Sequence, residues 1–521
     1  LRLAVGTNLD SVTATFQTFP QTGSQDELVI AVGSCHEVGD RRVFLEIPKH
    51  NPRLFIHLGD WTYPSYQMPS DYPEDPGRLA ESYRRRYSEP NINALLRTTP
   101  LSYTYDDDDF HEEGSVRNYW GFFRNDSTHR NGETARYWDI RESPDSIWQT
   151  CIRGFQEYFP HYPLEDTTEG IYQSYRIGNV EVFHLDIRGT QTPFHWGFAY
   201  NDTTNRYTFN PRPDHTLLRA KQMQWLKDQL AASTADWKII ASGAVFNKAL
   251  KRYLDLGVDL QQFELPDNLP GVGNLPDANG FQLMSGFAGE WCAYPEQQEL
   301  LDFLDANNIQ DVLVVSGQSH QNMVDDGTNA GLPELNASGL GVAETDLTLW
   351  NSLDLLGTFS FFLPTNINVP PVLDSLWNGG GTGLNGAPQK NGFGKLVFYG
   401  RDSVRMETID EDGGLLGGVT LLHSSRTTVN RPELSAESWL GLYPNPAANQ
   451  VTLQFADNFL PQQGDYLRLL NLEGKVLLEL PLTPGQPSQV VDVQAFQPGL
   501  YQVGVYTQRG WWNRKLLIER E

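Results

Sequence analysis

Cysteine is scarce in this chain: three of 521 residues, Cys35, Cys151 and Cys292. So few thiols exclude a disulfide-built scaffold and leave an odd one with a task other than bridging. A Cys151–Cys292 bridge and three free thiols are the alternatives left open. Long apolar runs are also missing. No stretch of eighteen or more apolar residues occurs, which excludes a membrane-spanning helix. The residues from Leu1 onward lack the charged start and apolar centre of a signal peptide, so any such leader is expected to have been removed, and export must be argued from elsewhere. Basic residues are few as well, 39 Lys and Arg against 65 Asp and Glu, for a net charge of −26. A field of that sign repels phosphate backbones, which argues against duplex nucleic acid or an anionic membrane as partner. It suits solubility in an extracellular or saline medium and leaves some carboxylates over for hard cations.

What is present is the composition of a folded protein, with 39% hydrophobic, 12% aromatic and 20% charged residues. The length exceeds what one ordinary core holds, so one large domain and at least one smaller one are expected. From Leu28 to about Asp326, short apolar runs rich in β-branched residues end abruptly in polar, chemically capable ones. Leu28–Val32 leads into Cys35, Leu54–Leu58 into Asp60, and Leu101–Tyr105 into Asp106–Asp109. Val180–Leu185 leads into Asp186 and Arg188, Ile239–Val245 into Asn247 and Lys248, and Val312–Val315 into Gln318 and His320. Such runs read as buried strands. Helical spacing appears between them, in Lys221–Ala231 and Pro295–Asn307. The alternation predicts an α/β fold, a largely parallel or mixed sheet flanked by helices. In such sheets ligands bind beyond the carboxyl ends of the strands, so Cys35, Asp60, Asp107, Asp186 and His320 should converge.

Asp60 leaves its strand through Gly59, which frees its carboxylate to project as a bridging metal ligand. The Cys35 thiolate is a soft donor for iron or zinc, whereas the carboxylates suit calcium, manganese or magnesium. Four successive aspartates between Leu101–Tyr105 and Phe110-His111 are oddly placed for mere solvation. The stretch Gly327–Gly392 is rich in Gly, Asn and Pro and reads as long loops around the site entrance. Strands return at Lys395–Tyr399, Ser403–Ile409 and Val419–His423.

Taken in order, these pieces resemble the PhoD-type alkaline phosphatase and phosphodiesterase family. The resemblance is carried by Gly33-Ser34-Cys35, Leu58-Gly59-Asp60-Trp61-Thr62-Tyr63 and Tyr105-Asp106-Asp107-Asp108-Asp109-Phe110. It continues through Gly170-Ile171-Tyr172, Leu185-Asp186-Ile187-Arg188, Gln222–Leu226 with Ala235–Lys238, Trp291–Pro295, Ser316–His320 and Asn391–Gly394. It implies a metallophosphoesterase-type fold, iron and calcium as metals, and hydrolysis of phosphate mono- and diesters by metal-activated water. Carried over by position, Cys35, Asp60 and Tyr63 match metal ligands, Asp107 a ligand of a second metal, and His320 the last histidine ligand. Asp186 and Arg188 match a motif beside the phosphate. Two positions depart from the pattern. Asp108 stands where the family commonly has His, a catalytic position for which His111 is a substitute, and Gln318 replaces a metal-binding Asp with a neutral amide. A degenerate, non-catalytic surface protein that binds through Gly327–Gly392 is the alternative reading.

Leu1–Phe19 resembles the tail of a small β-domain that precedes such catalytic domains, with Thr15–Thr18 as its last strand. The expected organisation is therefore a remnant at 1–25, a catalytic domain at 26–423, a polar linker at 424–438 and a small β-sandwich at 439–521. That last segment, with Tyr443-Pro444-Asn445-Pro446, Gly474-Lys475, Gly499-Leu500-Tyr501 and Asn513-Arg514-Lys515, resembles the type IX secretion sorting domains of Bacteroidetes-like bacteria. That resemblance implies export through the outer membrane of a Gram-negative cell by the secretion machinery. The expected partner of the catalytic domain is a small phosphate ester, and the expected state is a monomer.

Overall fold

A computed structural model describes residues 4–5, 8–9, 14–15, 17–36, 41–63, 75–110, 115–122, 139–166, 168, 170–201, 206–209, 211–247, 268–269, 273–274, 290–341, 376–384, 386–424, 440–455, 460–462, 465–471, 476–507 and 510–520. They fall into two compact units, one of residues 1–24, 28–396 and 406–419, the other of residues 25–27, 397–405 and 420–521.

The apolar runs are strands. They are β1 (Glu27–Gly33), β2 (Leu54–His57), β3 (Leu101–Tyr103), β4 (Gln173–Ile177), β5 (Val180–His184), β6 (Trp237–Ser242) and β7 (Val312–Ser316). After them come β8 (Asn322–Asp325), β9 (Glu334–Ala337), β10 (Gly380–Gly381), β11 (Gly392–Tyr399), β12 (Ser403–Asp410) and β13 (Leu415–Leu422). Thirteen strands form one mixed sheet in the order β3-β2-β1-β11-β12-β13-β10-β8-β9-β7-β6-β5-β4. The parallel blocks carry the chemistry. One runs β1-β2-β3, with Gly33 opposite His57 and His57 opposite Tyr103. The other runs β5-β6-β7, with His184 opposite Ala241 and Ser242 opposite Ser316. Every residue of β2, β6 and β7 is buried, as expected of strands covered on both faces.

Among the described residues the α-helices are α1 (Val43–Glu46), α2 (Pro76–Tyr87), α3 (Pro90–Leu96), α4 (Asp107–Phe110), α5 (Asp145–Tyr158), α6 (Arg219–Ala232) and α7 (Glu296–Ala306). In α2, Pro76 occupies the first turn, Asp75 accepts from Gly77 N at 2.8 Å, and Arg84, Arg85 and Arg86 lie in the last turn, each favoured there by the helix's terminal groups. Ile147, Trp148, Cys151, Ile152 and Phe155 make a helical stripe on α5 that shares a core with Leu79, Tyr83 and Tyr103. Met223, Leu226 and Leu230 of α6 and Leu300 and Leu304 of α7 join Ile240 and Val314 in a second core.

Two expectations are corrected, and one alternative left open is decided. Gly327–Gly392 is not loop throughout: it supplies β9, buried and parallel to β7, and β10. Backbone close packing explains the glycines there, since a Cβ on Gly381 would lie 2.1 Å from Asn322 O. Thr15, Gln17 and Thr18 take no strand, and the described strands near the start are Ala4–Val5 and Asn8–Leu9, paired to each other. Finally, all three cysteines are free thiols. Residues 342–375 and the linker positions 425–438 lie outside the described residues.

In the second unit, a three-stranded sheet of β14 (Leu440–Tyr443), β15 (Gln450–Phe455) and β18 (Ser488–Asp492) accompanies a four-stranded one. The latter holds β16 (Tyr466–Leu470), β17 (Val476–Pro481), β19 (Gly499–Thr507) and β20 (Gly510–Ile518). Val451, Leu453 and Phe455 of one sheet share a core with Leu467, Leu469, Val503, Val505, Leu516 and Ile518 of the other, which makes a small all-β sandwich.

Gly59, just beyond β2, has φ +103°, and a Cβ there would lie 2.3 Å from Asp106 Cβ and 2.5 Å from Asp106 N. Gly59→Ala should therefore cost about 2–5 kcal/mol, combining a left-handed penalty with overpacking. The urea midpoint of the larger unit measures it, and an unchanged midpoint would show that the Asp106 loop yields.

Candidate metal centre

Each motif follows the carboxyl end of a strand. Cys35 comes two residues after β1, Asp60 three after β2, Asp106–Asp109 after β3, Asp186 and Arg188 after β5, and Gln318 and His320 after β7. The chain leaves the sheet sharply at these points: Cys35, Asp60, Gln318 and His320 have φ of 58°, 55°, 67° and 55°. Left-handed backbone at non-glycine residues costs about 1–3 kcal/mol each and persists only where surroundings over-determine it.

Two groups of donors result. Cys35 Sγ, an Asp60 oxygen and a His320 ring nitrogen all lie within 4.8 Å of one another, and so do oxygens of Asp60, Asp107 and Asp108. Asp60 belongs to both. Its Oδ2 accepts from Cys35 Sγ and from Tyr63 OH, each at 3.3 Å, and its Oδ1 accepts from Asp108 N at 3.3 Å. Gln318 joins the second group by donating from Nε2 to Asp107 Oδ2 at 3.1 Å, while its Oε1 is shielded from solvent with no hydrogen-bond partner.

The electrostatics follow from burial. Asp60, Asp106, Asp107, Asp108 and Asp109 are all buried. At 4.8 Å two like charges repel by about 3 kcal/mol even at an effective dielectric constant of about 20. Burial, then the charges of Asp107, Asp106 and Asp109, hold the Asp60 carboxyl well above its ordinary range. Burial and the Asp60 charge do the same to the Cys35 thiol and the Tyr63 phenol. Burial pushes Asp106 up to about 7 against the pull of Arg188, and Asp109 up to about 6. A cation among these donors reverses that penalty, because it favours the ionised form of every ligand. The sulfur, nitrogen and oxygen set around Cys35 suits iron or zinc, and the all-oxygen set suits calcium, manganese or magnesium.

Supporting contacts explain why so many polar groups are buried. The Asp109 carboxylate accepts backbone N–H groups from Asp60 (2.7 Å), Trp61 (3.0 Å), Thr62 (3.1 Å) and Asp106 (3.0 Å), which fixes the turn that carries Asp60. Asp186 accepts at Oδ2 from Tyr105 OH (2.5 Å) and Ile171 N (2.9 Å) and at Oδ1 from Gly189 N (2.7 Å). Arg188 pairs through Nε with Asp106, approaches Asp107 Oδ1 at 3.6 Å through Nη2, and donates from Nη1 to Gln191 Oε1 at 3.2 Å. Gln191 Nε2 donates to Tyr294 OH at 2.8 Å. Burial works against the Arg188 cation, but Asp106 and Asp107 outweigh it and push its pKa up.

The structure thus brings together Cys35, Asp60, Tyr63, Asp107, Asp108, Gln318 and His320, with Arg188 touching their edge. The carboxylate of Asp186 is engaged by Tyr105 and two backbone amides. His111 lies outside the described residues. Sequence reasoning missed the separate tasks of Asp106 and Asp109, because four identical side chains in a row carry no mark of which faces the ligands. The one-turn helix α4 makes that choice by rotating successive residues about its axis.

Residues 28–343 match the PhoD-like phosphatase family and residues 441–519 the secretion system C-terminal sorting domain. Alkaline phosphatase D of Bacillus subtilis (strain 168) is 24% identical over 345 residues, covering 61% of this chain and 50% of that protein, so the chain spans about half the length of this curated relative. A solved PhoD structure aligns at 16% identity with a TM-score of 0.47, covering 81% of this chain and 73% of that one. A purple acid phosphatase from yellow lupin (Lupinus luteus) seeds aligns at 11% identity with a TM-score of 0.40, covering 78% and 56%. The sorting domain marks the chain for type IX export to the surface or exterior of a Gram-negative bacterium. The described residues include no helix long and apolar enough to cross a membrane. With its family match spanning more than half of the chain, including β2–β9 and both donor groups, the chain belongs to the PhoD-like phosphatases.

Proposed function

We propose that this protein is an exported, monomeric, metal-dependent hydrolase of small phosphate mono- or diesters. The observation that carries the reading is the sharing of Asp60 between two donor groups of different chemistry. Cys35, Tyr63 and His320 would hold one cation, iron by the softness of its donors, and Asp107, Asp108 and the unpartnered Oε1 of Gln318 the other, calcium by the all-oxygen set. Cations so held supply Lewis-acid polarisation of a phosphoryl oxygen and lower the pKa of water from about 16 to roughly 7.

The remaining residues position and neutralise. In this reading Asp108 is a ligand, since its carboxylate lies with those of Asp60 and Asp107. Arg188 is a counter-charge, because its guanidinium is already committed to Asp106, Asp107 and Gln191. Asp186 is a brace for the loops at Tyr105, Ile171 and Gly189. His111, three residues past Asp108, is the candidate donor of a proton to the leaving group.

Three outcomes are expected. Purified protein should contain transition metal by elemental analysis and hydrolyse bis-para-nitrophenyl phosphate or the monoester, and chelation should abolish both the metal content and the turnover. A metal-free chain indifferent to added iron and calcium would replace this reading with a non-catalytic binding surface. Asp60→Asn should lower metal affinity and turnover by more than ~100-fold, beyond the 10–100-fold typical of losing an outer partner. In the wild type, metal at ~100 times its dissociation constant should add about 2.7 kcal/mol to unfolding, and Asp60→Asn should erase that gain. Gln318→Asp should tighten calcium or manganese binding and raise diesterase turnover, while His320→Ala should abolish metal uptake and turnover. Unchanged calcium affinity in Gln318→Asp, measured by calorimetry, would place residue 318 outside the ligand set.

A further inference from the structure

Two histidines that the proposed chemistry does not use lie beneath the metal centre. His36 follows Cys35 directly, and His57 ends β2, three residues before Asp60. Both are fully buried, and their rings meet through His36 Nδ1 and His57 Nε2 at 3.1 Å. Gly59 N donates to His57 Nδ1 at 3.3 Å. A nitrogen that accepts a backbone N–H carries no proton of its own, so the His57 proton must reside on Nε2. Nε2–H then donates to His36 Nδ1, and the His36 proton falls on its own Nε2. That atom is buried without a hydrogen-bond partner. Burial, with the Arg86 cation nearby, lowers His57 to about 3, in keeping with a neutral ring.

The surroundings fix the rings further. His57 packs edge-on against Trp61 at 4.9 Å and His36 against Trp61 at 5.2 Å and Phe44 at 5.1 Å. Arg86 Nη2 donates to His36 O at 3.1 Å. The parallel ladder of β1 and β2 runs out at this level, with Leu58 N to Gly33 O at 2.9 Å and Cys35 N to Gly59 O at 3.2 Å as the last rungs. Beyond them Cys35, Gly59 and Asp60 all turn left-handed. Such a turn needs external restraint, and a donor left unsatisfied on one imidazole is the kind of cost that persists where geometry matters more than local stability.

We propose that His57 is a positioning residue of the metal centre: as the Nε2–H tautomer it accepts the Gly59 N–H, donates to His36, and so staples the loop that presents Asp60 to the loop that presents Cys35. Asp109 holds the Asp60 turn from one side through its backbone amides, and the imidazole pair holds it from the other. The metal consequence rests on the phosphohydrolase reading above; the ring chemistry does not.

The test uses the full chain. In wild-type protein labelled with ¹⁵N-histidine, long-range imidazole correlations should show His57 protonated on Nε2 and bare on Nδ1. The opposite tautomer, or a doubly protonated ring, would overturn the proposal. His57→Phe, which keeps an aromatic ring but removes the acceptor, should weaken metal binding 10–100-fold by elemental analysis after graded dialysis. His57→Asn, whose Oδ1 restores an acceptor for Gly59 N–H, should recover most of that loss. A folded His57→Phe variant with native metal affinity sinks the proposal, and if that variant does not fold, the tautomer and the Asn variant decide. A wild-type chain that takes up no metal would instead remove the phosphohydrolase reading and leave the tautomer measurement standing.

Discussion

Mutual repulsion among buried carboxylates is the constraint from which the rest of the site follows. Asp60 and the run Asp106–Asp109, far apart along the chain, are all withdrawn from water in one place. Carboxylates so placed stay ionised only where opposite charge or donated hydrogen bonds compensate them. The fold divides the problem. Asp109 is compensated by four backbone amides and Asp106 by Arg188, which also approaches Asp107, whereas Asp60, Asp107 and Asp108 crowd one another with the Arg188 edge, the Gln318 amide and the donors to Asp60 set against three carboxyl groups. Compensation of that last group is what a bound cation provides, which joins the burial pattern to the family's metal chemistry without any further assumption about substrate.

The same constraint explains why the loops are shaped as they are. Donors from β1, β2, β3 and β7 can meet only if the chain turns back over the sheet edge immediately after each strand, and four of the site residues do so in left-handed conformation. Gly59 and Gly317 make room for the approach: a Cβ on Gly317 would lie 2.8 Å from Ser34 Oγ. Rigidity of the turns thus comes from side chains that never reach the reacting atoms, such as Asp109 and Tyr105.

Much of this was legible in the sequence. The apolar runs ending in Cys35, Asp60, Asp106–Asp109, Asp186 and His320 mark strands of the sheet and of its parallel blocks, because burial on both faces leaves continuous hydrophobic stretches; Cys35, Asp60, Asp107 and His320 come together at their ends, while Asp186 lies outside both donor groups. The C-terminal sandwich showed itself through its turn residues. Other parts were illegible for physical reasons. β10 hides in a Gly- and Asn-rich stretch because close backbone packing at Gly381 selected its residues, and β9 because Glu334 and Asn336 are buried polar groups bonded to Phe246 N and Gly317 O instead of apolar ones. The family resemblance places Arg188 beside the phosphate, and only its three-dimensional partners show the guanidinium engaged with Asp106, Asp107 and Gln191. His57 lies unremarked inside the run Leu54–Leu58, and its hydrogen bond to Gly59 becomes visible only when the turn is built.

The free state of all three cysteines has a consequence for the chain once outside the cell. Asp107 and Gln318, which meet at 3.1 Å, are separated by 211 residues. A cation gripping both segments closes a loop of that length, as a disulfide would. In the chain-entropy picture a covalent link of this span would disfavour the unfolded ensemble by about 5 kcal/mol. A reversible cross-link of this kind needs no oxidising compartment to form and cannot be severed by thiols that attack disulfides. If the metal-dependent reading holds, its strength would be set instead by the supply of metal in the surrounding medium, and the durability of the exported protein against proteases would become a function of environmental ion content.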